Sequence, residues 1–143
     1  MRQRLSLLTI GVRDIARARR FYEEGLGWHR DFGQDDVAMY QSGGMVFALY
    51  EWPKLAEDAG VSAEGEGFRG VTLAYNARSK EEVCEVLEEA RVAGAQIMIE
   101  PRDTFWGGYD AYFADPDGHL WEVAWNPYWT LSEDGSVSLA PPK

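Results

Sequence analysis

Phe113-Ala114-Asp115-Pro116-Asp117-Gly118-His119-Leu120-Trp121-Glu122 is the stretch on which the fold turns. Within it, Asp115-Pro116-Asp117-Gly118 reads as a tight turn: proline presets φ and glycine accepts the left-handed position. The turn joins two strand-like pieces, Tyr109–Ala114 and residues 119–125, both rich in aromatic and apolar residues. Strand parity puts Leu120, Glu122 and Ala124 on one face and Trp121, Val123 and Trp125 on the other. The second set is bulky and apolar and is expected beneath a helix. Glu122 is then a carboxylate on the opposite face.

Toward the N-terminus, residues 96–100 read as a strand stopped by Pro101. Before it, Val83, Val86, Leu87, Ala90 and Ala93 recur at helical spacing, and Gly94 ends the helix. Ser79-Lys80-Glu81-Glu82 is a capping box with Ser79 at N-cap. Val71-Thr72-Leu73-Ala74-Tyr75 is a strand. The order is βαβββ.

The first half repeats it. Leu7–Val12 is a β-branched apolar strand, and Asp14 is an N-cap candidate. Ile15, Ala18, Phe21, Tyr22 and Leu26 follow at helical spacing, with Gly25 and Gly27 as stop signals. Strands are expected at residues 28–32, 37–41 and 45–52, the last two joined through Ser42-Gly43-Gly44. The reading is an α+β chain of two tandem βαβββ modules, with curled sheets around a shared cleft. Neither half alone supplies two packed layers, so one domain is expected. Module one spans 5–53, a polar loop linker 54–67, module two 68–127, and a loosely packed tail 128–143.

With 143 residues, 45% hydrophobic, the chain can bury a core without staples. Cys84 is the only cysteine, which excludes an intramolecular disulfide and a Cys-based zinc site. It is expected as a half-buried structural thiol beside the helical stripe. No apolar run reaches membrane-spanning length and no signal-like apolar region opens the chain. A cytoplasmic protein without membrane contact is expected. The net charge of −10 argues against a nucleic-acid partner and tolerates a neutral or cationic small ligand.

Val12-Arg13-Asp14, Ala18-Arg19-Arg20-Phe21-Tyr22 and Leu26-Gly27-Trp28 resemble the opening of vicinal-oxygen-chelate proteins, the glyoxalase I, bleomycin-resistance and extradiol-dioxygenase superfamily. Residues 113–122 resemble its ending. The resemblance covers residues 5 to about 127 and implies the duplicated fold and a homodimer. It leaves the reaction open, since the family holds isomerases, dioxygenases, thiol transferases and drug binders.

Metal enzymes of that family take ligands from the first and last strand of each half. By resemblance those positions fall here on Leu7, Ala48, Thr72 and Glu122. Leu and Ala cannot ligate through side chains and Thr is a poor ligand, whereas catalytic sites supply about three protein ligands. No metal site and no cofactor are expected; a weakly held divalent metal is the alternative. His29 and His119 read as surface or interface residues.

Parity gives the cleft lining. Leu7, Thr9, Ala48, Tyr50, Trp52, Thr72, Asn76 and Glu122 should face it, with Tyr112 reaching in. Trp106 and Tyr109, around Gly107-Gly108, form a candidate aromatic lid. The expected function is binding of a small organic molecule without a tightly bound metal. The alternatives are a metal-dependent lyase, isomerase or dioxygenase, and a metal-free enzyme with Glu122 as catalytic base.

Overall fold

A computed structural model describes residues 1, 3, 5–69 and 71–138 of the chain. The chain forms two compact units, Met1–Arg69 and Gly70–Lys143.

In the first unit, β1 (Leu7–Val12) leads into α1 (Ile15–Arg19), which widens into a π-helical turn, Arg20–Gly25. Asp14 caps α1, its carboxylate accepting the Arg17 N–H at 2.9 Å. β2 (Phe32–Gly33), β3 (Val37–Ser42), β4 (Met45–Glu51) and α2 (Trp52–Ala59) follow. The sheet order is β1-β4-β3-β2, with β1 parallel to β4 and the other pairs antiparallel. Ala18, Phe21 and Tyr22 are buried, as are Ile10, Val12, Phe47 and Leu49. Tyr22 and Trp28 pack on Phe47, with ring centroids 5.5 and 5.3 Å away. Tyr40 is also buried, and its hydroxyl donates to Glu23 at 3.1 Å. Glu23 also accepts from Arg19 at 3.1 Å and pairs with Arg30 at 3.6 Å. Burial opposes its charge, but the Arg19 and Tyr40 bonds and the Arg30 charge win and hold its carboxyl below the usual range.

The second unit repeats the connectivity: β5 (Leu73–Ala77), α3 (Lys80–Ala93), β6 (Gln96–Asp103), β7 (Tyr109–Ala114) and β8 (Leu120–Trp125). The sheet order is β5-β8-β7-β6, and β5 runs parallel to β8. Ser79 accepts the Glu82 N–H at 3.2 Å. Glu82 reaches back to the Arg78 N–H at 2.6 Å, one residue further than a simple capping box. Val83, Leu87 and Ala90 are buried, with Ala111, Phe113 and Val123. Phe113 and Trp121, opposite each other on β7 and β8, stack at 6.2 Å. In the turn, buried Asp115 accepts the N–H of Asp117 and of His119, both at 2.9 Å, and Gly118 has φ +87°.

Several boundaries differ from expectation. Residues 54–67 are not all loop: Trp52–Ala59 is helical, opened by Pro53 in its first turn and closed by left-handed Gly60. Residues 28–30 join no ladder, Trp28 being packed in the aromatic cluster; Asp31 gives its N–H to the Met39 carbonyl, and Phe32 and Gly33 form the short strand paired with β3. β5 starts at Leu73, opposite Trp121, so Val71 and Thr72 lie outside the ladder. Pro101 does not stop β6. It lies on an edge strand in a bulge, where Glu100 and Pro101 together face Ala111, so its missing N–H breaks no ladder bond. The tail forms a small hairpin, β9 (Thr130–Leu131) with β10 (Val137–Ser138), and the Arg78 guanidinium donates to the Ser132 carbonyl at 2.7 Å. Residues 139–143 of the expected tail lie outside the described residues.

Candidate functional site

Strand pairing gathers one polar group on the face of the second sheet that α3 leaves uncovered. Glu122 stands across from Tyr112 on β7 and Ala74 on β5. Two residues along β7, Asp110 faces Ala124 on one side and Arg102 on the other. Period-two alternation puts Asp110 and Tyr112 on the same side as Glu122. The Arg102 guanidinium donates to Asp110 at 3.1 Å, and Asp110 is only 5% exposed. The Tyr112 hydroxyl, on the strand position directly across from Glu122, favours the charged form of that carboxyl.

Burial pushes the Glu122 carboxyl above the ordinary carboxylate range, and the charge of Asp110 adds to it; the Tyr112 hydroxyl offsets part. The Tyr112 hydroxyl is raised by burial first and then by the two carboxylates. The result is a half-buried acid that holds its proton more tightly than a solvated one. Beside it lie a phenol and a carboxylate–guanidinium pair.

Asn76, opposite Ala124, joins this face half-buried. Trp106 folds over Gly108, occupying the space a side chain there would need. Gly108 shares parity with Asp110, so the indole lies on the Asp110 side. Tyr109 does not join them. Its hydroxyl lies 3.8 Å from Cys84 and its ring 5.1 Å from the Lys80 ammonium, both on α3, hence on the helix side. Cys84 is exposed rather than half-buried. Thr72 is exposed, ahead of the strand.

In the first unit the corresponding face carries no charged side chain. Ala48 pairs with Thr9 and Met39, and Tyr50 with Gly11 and Val37. Ala48 is 1% exposed, whereas Leu7, at the strand end, is 49% exposed. Trp52 lies against Gly11, where an added methyl group would come 3.1 Å from its ring. Its indole N–H donates to the Ala63 carbonyl at 3.0 Å, and Arg13 sits over the ring at 4.9 Å.

The sequence profile of the Glyoxalase/Bleomycin resistance protein/Dioxygenase superfamily matches residues 4–123. The chain belongs to this superfamily. A solved structure of a glyoxalase-related enzyme from Fulvimarina pelagi is 37% identical, with a TM-score of 0.88 over 97% of this chain and 99% of that one. A glyoxalase/bleomycin resistance protein/dioxygenase from Nocardioides is 26% identical, with a TM-score of 0.72 over 87% of this chain and 84% of that one. A lactoylglutathione lyase from Agrobacterium tumefaciens, 15% identical with a TM-score of 0.65 over 87% of this chain and 95% of that one, shares the fold. No curated protein matches the chain. No helix among the described residues is long and apolar enough to cross a membrane.

The superfamily's metal chemistry can be tested against these donors. Among the described residues no three His, Cys, Asp or Glu side chains come together in a way that could hold a metal ion. Leu7 and Ala48 offer no donor atom, and Asp110, the carboxylate beside Glu122, is engaged by Arg102. The side chains present do not fit a tightly held transition metal.

Asp110 and Arg102 were not among the residues expected at the site. The parity of Asp110 with Tyr112 was the available signal. Arg102 was hidden by ending the strand at Pro101.

Proposed function

We propose that this protein binds a small organic molecule at the Glu122–Tyr112–Asp110 face of the second sheet, without a tightly bound metal. One observation carries the reading: a half-buried carboxyl, raised by burial, sits beside a phenol and an ion pair on the sheet face opposite α3. Such a site has few, fixed polar groups on an otherwise apolar sheet, which is how ligand sites secure orientation. Trp106 and Asn76 extend it. The Fulvimarina pelagi relative, described as glyoxalase-related, supports placing ligand chemistry on this scaffold.

The elevated proton affinity of Glu122 favours a second reading, a metal-free enzyme with Glu122 as general base. Such a base works when its substrate's acidic C–H or O–H lies within hydrogen-bond reach.

Thermal-shift screening of the full chain against small organic compounds tests binding, since a ligand raises the melting temperature by mass action. A hit should be weakened by Glu122→Gln and by Tyr112→Phe. Hits indifferent to both substitutions would move the site elsewhere. Metal analysis of the purified protein, with calorimetric titration of Ni, Zn, Fe and Mn, tests the metal clause. Stoichiometric, chelator-sensitive metal would overturn it. Turnover lost in Glu122→Gln while binding persists would favour the base.

A further inference from the structure

Where the chain leaves the π-helical turn and passes the end of β3, it forms an open surface pocket of about 390 Å³ lined by Trp28, His29, Asp31, Tyr40, Gln41 and Ser42. This pocket lies within the first unit and includes none of the Glu122 group. Its walls are fixed by their own contacts. The Trp28 ring packs against Phe47 at 5.3 Å and Tyr40 at 5.7 Å, and its backbone N–H donates to the Tyr22 carbonyl at 2.9 Å. Asp31 accepts the Gln41 backbone N–H at 2.7 Å, while its own N–H donates to Met39 at 3.0 Å. The Gln41 side-chain amide is bonded to the Gly43 and Met45 carbonyls at 2.7 and 3.2 Å. Walls ordered beforehand lower the entropic cost of binding.

The chemistry points one way. An indole presents an electron-rich surface, and an exposed carboxylate supplies a negative charge beside it. Arg30, between His29 and Asp31 in sequence, pairs with Glu23 at 3.6 Å and does not line the pocket. The net charge of −10 raises the local concentration of cations over anions. The volume is at the lower end of the range for small-molecule sites. We propose that this pocket binds a small organic ammonium ion, the cationic centre against Asp31 and the apolar part against Trp28.

Benzyltrimethylammonium titrated into the full, nitrogen-labelled chain tests this by amide and indole NMR. Saturable shifts should cluster on the Trp28 indole and on the Gln41 and Ser42 amides, with the Trp28 signal identified by Trp28→Phe. Asp31→Asn keeps an oxygen for the Gln41 N–H but removes the charge, so affinity should fall roughly three- to fivefold. Benzyl alcohol, aromatic but uncharged, should bind more weakly than the ammonium ion. Shifts confined to other regions, equal binding of benzyl alcohol, or unchanged affinity in Asp31→Asn would each overturn the proposal. Should Trp28→Phe fail to fold, Asp31→Asn decides by the backbone signals alone.

Discussion

Set the two sheets side by side in matching register. Thr9 and Ala48 pair in the first unit where Ala74 and Glu122 pair in the second. Met39 lies across from Ala48 where Tyr112 lies across from Glu122. Val37 corresponds to Asp110, and Gly11 to Asn76. The backbone pattern is the same, but the same face has no charged side chain in one unit and carries a carboxylate beside an ion pair in the other. The buried sides differ too. An aromatic cluster of Tyr22, Phe47, Trp28 and Tyr40 fills the first, whereas Val83, Leu87, Ala111 and Val123 dominate the second. A duplicated ladder constrains where side chains point, not what they are, so one copy can carry chemistry while the other serves packing.

Ala48→Glu should break the comparison most severely. It copies Glu122 into a position that is 1% exposed, with Met39 opposite instead of a phenol. A carboxyl buried without partners costs on the order of 5 kcal/mol. Urea unfolding should show that loss, and a near-neutral result would mean that the first face is far more accessible than Ala48 suggests.

Phe47→Ala and Leu87→Ala compare the two cores. Phe47 supports three aromatic rings and should cost about 4 kcal/mol, and Leu87, on the buried face of α3, about 3 kcal/mol. Chemical denaturation of both variants gives the ranking. The reverse order would shift the main packing load to the second unit.

Glu122→Gln sharpens the contrast through pH. A carboxyl raised on folding binds its proton more tightly in the native state. Its stabilising contribution is therefore present at low pH and lost as pH rises through the ordinary carboxylate range toward the raised value. The always-neutral glutamine escapes that loss. Its melting temperature relative to the native chain should gain as pH climbs from acid to neutral. A difference independent of pH would mean that Glu122 titrates normally.

The smallest effects belong to the helix starts, where the units agree. Asp14→Ala and Ser79→Ala each remove one cap bond, 2.9 and 3.2 Å long, and each should cost about 1 kcal/mol in thermal unfolding. Equal losses would support equivalent roles for the two caps.

Much of the scaffold was legible because its signals are local. The spacing of Val83, Leu87 and Ala90 marked α3, and Asp115 to Gly118 marked the β7–β8 turn. The Glu122 group was legible in part, since alternation alone aimed Glu122 and Tyr112 to one side. α2 escaped notice because glycines and acids follow it closely, although Pro53 and Gly60 bracket it. Arg102 escaped because a proline halts a ladder only where its N–H is needed, and on an edge bulge it is not.

By itself the sequence determined the duplicated βαβββ order, the alternation of faces along β7 and β8 that sets Glu122 and Tyr112 away from the helix, and the turn and cap chemistry. These follow from periods of 2 and 3.6 and from the conformations of Gly, Pro, Asp and Ser. Tertiary structure decided where β5 begins, that β6 runs past Pro101, and that Asp110 and Arg102 stand in the same group as Glu122. Those depend on which strand lies beside which and in what register, and register is set by long-range pairing that no local pattern encodes.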